Sequence, residues 1–145
     1  MNQPLPAQPA KKLLVLTCMD ARVDPAKILG FELGDAHVLR NAGGVVTDDV
    51  IRSLAISQHL LGTEEIVLMH HTRCGMLGLT DQDLADRLEQ SSGQRPPWPS
   101  HGFDDLDEDV RESKRQLVES PFIPRTANVR GYVYDVATGE LREVT

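Results

Sequence analysis

The chain holds two cysteines, and each stands where an apolar run turns polar: Cys18 in "LTCMDAR" (16–22) and Cys74 in "HHTRCGM" (70–76). Two thiolates and the imidazole of His71 form a ligand set suited to zinc. Three protein ligands with an open fourth position describe a catalytic zinc, whereas structural zinc is closed by four Cys or His side chains. There is no third cysteine, so a fourth ligand falls to Asp20, another His or water. The H-x2-C spacing of His71 and Cys74 lets one turn present both groups to one ion. Asp20 and Arg22 follow Cys18 directly. A carboxylate beside zinc can coordinate it or accept a proton from bound water, and Arg22 can hold that carboxylate bidentately in its ionised form. The pair is a candidate switch: Asp20 on the metal closes the site, and Asp20 on Arg22 leaves room for water. Zinc lowers the pKa of bound water from 15.7 to about 7, and the resulting hydroxide suits attack on a small electrophile.

The order of elements must bring these stretches together. "KLLVLT" (12–17) and "EEIVLMHH" (64–71) read as short buried strands. "AHVLRNAGG" (36–44) reads as a strand running into a glycine turn, and "NVRGYVYDV" (128–136) as a further strand. Asp24 as N-cap and Pro25 at the first helical position start a short helix that Gly30 or Gly34 can end. "TDDVIRSLAISQHLLG" (47–62) is the strongest helix, with Thr47 as cap, Asp48 and Asp49 at its positive end and Gly62 as stop. Residues 80–90 and about 104–119 predict two more helices, separated by the loop "SSGQRPPWPSHG". "LREVT" at the end predicts an antiparallel edge strand. Alternating strands and helices imply an α/β fold: a central, mostly parallel four-stranded sheet flanked by helices, with that antiparallel edge. In such sheets ligands sit beyond the carboxyl ends of the strands. Cys18 with Asp20, Asn41 to Gly44, and His71 to Cys74 then meet at one edge.

A length of 145 residues predicts one domain spanning 1–145, with 1–11 as an extended arm carrying prolines at 4, 6 and 9. The balance of 40% hydrophobic and 26% charged residues is that of an ordinary globular protein. No apolar run approaches the roughly 20 residues of a membrane span. Net charge is −7 without a basic cluster, which argues against nucleic acid as a partner. With no secretory signal in view, the two thiols predict a reduced, cytoplasmic setting rather than a disulfide.

"CMDAR" (18–22), "RNAGG" (40–44) and "HHTRCG" (70–75) together resemble the β-class carbonic anhydrases, and the similarity extends over nearly all of residues 12–145. The resemblance implies Cys18, His71 and Cys74 as zinc ligands, with an Asp20–Arg22 dyad that frees or occupies the fourth position. It implies reversible hydration of carbon dioxide to bicarbonate and a proton, and a homodimer or homotetramer. Family members usually carry an N-terminal helical segment, whereas a proline-rich stretch of about a dozen residues precedes the first strand here. Arg73 stands where near relatives tend to carry an acidic residue; facing the metal it would favour bound anions, and facing solvent it would not.

Asn41, Gly43 and Gly44 are the candidate substrate-binding residues, either as a plain turn or as a loop whose N–H groups face a small anion. His70 points opposite to His71 along its strand and predicts a packed or hydrogen-bonded role. His37 and His59 predict structural or surface roles, and nothing in the sequence selects His101 as a proton shuttle. "DDLDED" (104–109) reads as a helix N-terminus, lacking the glycine and spacing of a calcium loop. Two rivals use the same residues: a hydrolase of carbonyl sulfide or carbon disulfide, and a zinc-stabilised binding module without turnover. A thiol redox protein is disfavoured, since there is no C-x-x-C.

Overall fold

The computed structural model describes residues 3–145; the first two residues of the expected arm lie outside that range. The elements follow in the order β1 (Leu13–Cys18), α1 (Pro25–Leu29), β2 (Ala36–Asn41), α2 (Asp48–His59), β3 (Glu65–His71), α3 (Asp81–Ser92), α4 (Leu106–Glu119), β4 (Asn128–Tyr134) and β5 (Leu141–Val144). All five strands join one sheet in the order β2-β1-β3-β4-β5. The first four run parallel, and β5 pairs antiparallel to β4. The inner end of the arm is tied down, with Ala10 and Lys11 donating to the carbonyls of Gly34 and Asp35 ahead of β2.

Local chemistry explains the boundaries. The Asp24 carboxylate caps α1 by accepting from the Lys27 N–H, and Gly30 ends it in the left-handed region at φ +74°. The Thr47 hydroxyl caps α2, whose first turn carries Asp48 and Asp49. The regular helix ends at His59. Gly62 follows at φ +76°, and the Thr63 N–H returns to the Ser57 carbonyl at 3.1 Å.

Alternation along β1 sends Leu14 and Leu16 to one face, packed with Val50, Leu54, Ile66, Leu68 and Leu117. Val15 faces the other side, with Val23, Val67 and Met69. Each such side chain contributes roughly 1.5–3 kcal/mol on burial. The central strands β1 and β3 are therefore the most firmly held elements, and their carboxyl ends are fixed in space. Among the described residues no helix is long and apolar enough to cross a membrane.

Candidate metal centre

Cys18 is the last residue of β1 and His71 the last of β3, and these strands are parallel neighbours. Cys74 follows one turn later. The two sulfurs and an imidazole nitrogen lie within 4.8 Å of one another, and all three residues are buried. Zinc bonds of about 2.3 Å to sulfur and 2.0–2.1 Å to nitrogen put ligand atoms under about 4 Å apart, so small side-chain movements close this group on one ion.

The imidazole is set up for such a role. Its Nδ1 lies 2.8 Å from the Thr72 carbonyl, which can only accept, so Nδ1 carries the proton. Nε2 then presents a lone pair, and it is buried with no hydrogen-bond partner. Leaving such an atom unpaired costs about 1–3 kcal/mol, which a cation at that point removes. Burial pushes the Cys74 thiol up to about 11. A bound cation reverses that preference by holding the thiolate, so loading the group releases protons. The donor set and the orphaned nitrogen both fit a zinc ion.

Asp20 stands beside this group. Arg22 grips it with Nε to Oδ1 at 3.0 Å and Nη2 to Oδ2 at 2.7 Å, and the Arg22 backbone N–H adds 2.8 Å to Oδ1. These bonds hold the Asp20 carboxyl well below the usual carboxylate range. Oδ2 lies 3.6 Å from His71 Nε2, so a fixed negative oxygen faces the open side of the ligand group. The Arg22 Nη2 also donates to the Arg73 carbonyl at 2.9 Å, linking the two polar loops. Arg73 takes φ +56°. Its side chain is exposed and is among the groups holding Asp135 low, behind the Ala137 and Thr138 N–H groups. It meets the site through its backbone.

Residue type and spacing single out no role for Arg40, which lies in "RNAGG". Its Nε donates to the Cys18 carbonyl at 2.9 Å, and its Nη2 to the carbonyls of Asp20 at 2.8 Å and Val23 at 3.0 Å. One guanidinium thus fixes the whole turn that carries Asp20. The usable signal is positional: Arg40 pairs with Thr17 at the carboxyl end of β1.

The three candidate substrate residues occupy the adjoining loop. Both ends of the Asn41 amide are bonded to the Val45 backbone at 2.9 Å, and the Gly44 N–H donates to the Asn41 carbonyl at 3.3 Å. A Cβ on Gly44 would lie 2.7 Å from the Thr17 carbonyl carbon, so glycine lets this loop rest on the end of β1. Val45 and Phe103 then pack on Cys18 and Cys74. His70 is buried, bonded to Asp109 through Nε2 at 2.6 Å, with its ring stacked on Phe103 at 4.9 Å. His37 bonds Ser57 and His59 reaches the Phe122 carbonyl, both structural contacts. The structure therefore gathers Cys18, Asp20, Arg22, His71 and Cys74 into one site and uses Asn41 and Gly44 to shape its wall.

A mostly parallel sheet with a buried Cys–His–Cys group at its carboxyl edge defines an α/β protein with a candidate metal site. The carbonic anhydrase family model matches residues 13–141. The chain is 54% identical to Beta-carbonic anhydrase 1 of Mycobacterium tuberculosis over 142 residues, 98% of this chain and 87% of that protein. The solved carbonic anhydrase of Streptococcus mutans superposes with a TM-score of 0.94 at 45% identity, over 100% of this chain and 88% of that one. A carbon disulfide hydrolase from an Acidianus species is 35% identical, over 92% of this chain and 77% of that protein. The chain belongs to the β-carbonic anhydrase family.

Proposed function

We propose that the chain catalyses the reversible hydration of carbon dioxide to bicarbonate and a proton, with zinc held by Cys18, His71 and Cys74. The observation that carries the reading is the buried His71 Nε2, stripped of hydrogen-bond partners and aimed into a pair of thiols. A zinc ion there supplies Lewis acidity and brings the pKa of a bound water from 15.7 to about 7. The protein supplies the rest. Asp20 stays ionised and, too weak a base to keep a proton near neutral pH, orients one at Oδ2 by accepting its hydrogen bond. Arg22 keeps that oxygen turned to the site rather than letting it occupy the metal. Arg40 holds the turn that carries both. Asn41 and Gly44 act indirectly, by keeping the loop tight against β1, and Gly43 by leaving room for Met76 and Phe103 beside the thiols.

The position of Asp20 on Arg22 favours turnover over a closed, non-catalytic zinc module. The higher identity to a carbonic anhydrase than to carbon disulfide hydrolases favours carbon dioxide over its sulfur analogue. The free, buried thiols suit a cytoplasmic setting. Leu33, Leu60, Met19 and Phe122 are large apolar side chains left between 64% and 89% exposed, and we assign them to contacts with further copies of the chain, as a homodimer or homotetramer. Native mass measurement checks that assignment, and a monomer at micromolar concentration contradicts it. For the activity, Cys18→Ser and His71→Ala must lose zinc and turnover together. Full turnover without bound metal overturns the reading.

A further inference from the structure

Two residues, Thr72 and Arg73, separate the ligands His71 and Cys74, and both are held from outside the turn they form. The Thr72 N–H donates to the Tyr134 carbonyl at 2.9 Å, continuing the pairing of β3 with β4 past its last register, His71 with Tyr134. The Thr72 hydroxyl accepts the Val136 N–H at 3.0 Å. Arg73 stands at φ +56°, a left-handed conformation that a residue with a Cβ keeps only where its surroundings fix it. Its carbonyl accepts the Arg22 guanidinium at 2.9 Å. The peptide between 72 and 73 is planar, so the bonds on either side of it set the direction of its carbonyl. That direction brings the Thr72 carbonyl to His71 Nδ1 at 2.8 Å.

Tyr134 and Val136 stand where β4 turns back into β5, and this hairpin is itself tied down. The Asp135 carboxylate accepts the N–H groups of Ala137 and Thr138 at 2.8 Å and 3.2 Å. The Asp135 N–H donates to the Glu140 carbonyl at 2.8 Å, and the Gly139 N–H returns to the Asp135 carbonyl at 2.8 Å. Arg142 on β5 is bonded to Asp107 of α4, and Arg111 of α4 donates to the Thr145 carbonyl at 3.1 Å. No member of the Cys–His–Cys group comes from this hairpin. It reaches the ligand turn through Thr72.

We infer that Thr72 is a positioning residue for the metal: through its hydroxyl the β4–β5 hairpin fixes the ligand turn, aims the His71 imidazole and sets how firmly zinc is retained. The inference rests on the zinc reading above and adds a residue to it. A ring already aimed at the ion loses less freedom when the ion binds, so the ion is held more tightly. Valine at 72 keeps the shape of the side chain and removes the acceptor, whereas serine keeps the acceptor.

Thr72→Val and Thr72→Ser are compared with wild type, and Gln58→Ala is the control. Gln58 bonds the Arg125 backbone through both ends of its amide, ahead of β4 at the amino end of the sheet, so its loss lowers stability away from the turn. Each protein is loaded with zinc, and the transfer of zinc to an excess of chelator is timed. Exchange of the His71 Nδ1–H with solvent is followed by nuclear magnetic resonance on the same samples, and melting temperatures are recorded. The expected result is zinc loss about tenfold faster from Thr72→Val, in the range found when a partner that orients a ligand is removed, with faster Nδ1–H exchange. Thr72→Ser stays within about twofold of wild type. Gln58→Ala melts lower yet keeps its zinc as wild type does. Serine that loses zinc as fast as valine takes the hydroxyl out of the account and overturns the inference. Gln58→Ala that loses zinc as fast as Thr72→Val overturns it too, because retention then follows overall stability. Zinc bound by wild type and retained equally by Thr72→Val overturns the inference alone. A wild type that takes up no zinc overturns the metal reading, and the inference with it.

Discussion

The carboxyl ends of β1 and β3 and the outer face of α4 are both crowded with charge and hydrogen bonds, yet they are built on opposite terms. On α4, Arg115 is bonded to Glu112 and Glu119, Arg111 to Glu108, and Asp107 to Arg142 of β5. These charges are paired in solvent, and exposed pairs of this kind contribute about 0–1 kcal/mol. At the strand ends the account does not close. His71 Nε2 is buried without a partner, the two thiols lie beside it, and Asp20 is locked in place 3.6 Å away. A surface that satisfies itself is structural; a buried edge that keeps unspent ligand atoms has a use for them.

The contrast can be broken or sharpened by substitution. Asp20→Asn has the largest expected effect, lowering kcat by about 10²–10⁴-fold, the usual range for a group that positions the proton in transfer. Zinc content stays at one per chain; loss of the metal instead would make Asp20 a ligand. Arg40→Ala comes next, with a loss of about 10–100-fold typical of residues that orient a site from outside it. It takes one hydrogen bond from each of three backbone carbonyls, of which Asp20's keeps the Val23 N–H, so the turn loosens and turnover should fall more than thermal stability. Equal kinetics in wild type and variant would remove Arg40 from the account. Gly44→Ala forces a Cβ into the Thr17 backbone and should cost about 1–3 kcal/mol in denaturant unfolding.

Arg142→Ala has the smallest effect, at most about 1 kcal/mol, with turnover unchanged. Its pH dependence has a definite sign. Arg142 holds the Asp107 carboxyl below its ordinary value. A carboxylate with a depressed folded pKa stabilises the fold above its unfolded value of about 3.9, and that contribution is lost as pH falls through the folded value. The melting temperatures of wild type and variant should therefore differ at pH 7 and converge as the pH falls below the folded value. A difference that persists at low pH assigns the effect to packing of the arginine stem.

The elements that positioned the site were legible because their signals are local. "KLLVLT" and "EEIVLMHH" are apolar runs of strand length, and the observed β1 and β3 lie within one residue of them. Thr47, Asp24 and Gly30 act within one turn of where they stand. His71 and Cys74 are three residues apart, and Asp20 and Arg22 two. Arg40 was invisible because its bonds reach 17 to 22 residues back along the chain, across neighbouring strands. The tautomer of His71 depends on a carbonyl whose direction no periodicity encodes. Within the 41–44 loop the Asn41 amide is engaged with Val45 four residues on and the Gly44 N–H with the Asn41 carbonyl, pairings that residue type alone does not announce.

The most direct test of the central claim is stopped-flow carbon dioxide hydration from about pH 6.5 to 9, the range that brackets a zinc-bound water of pKa about 7, with zinc assayed on the same sample. One zinc per chain, with kcat/KM rising with pH, is the predicted result. One zinc per chain with no hydration at any pH would contradict it, and would leave the Cys18–His71–Cys74 group as a metal site serving another reaction or none.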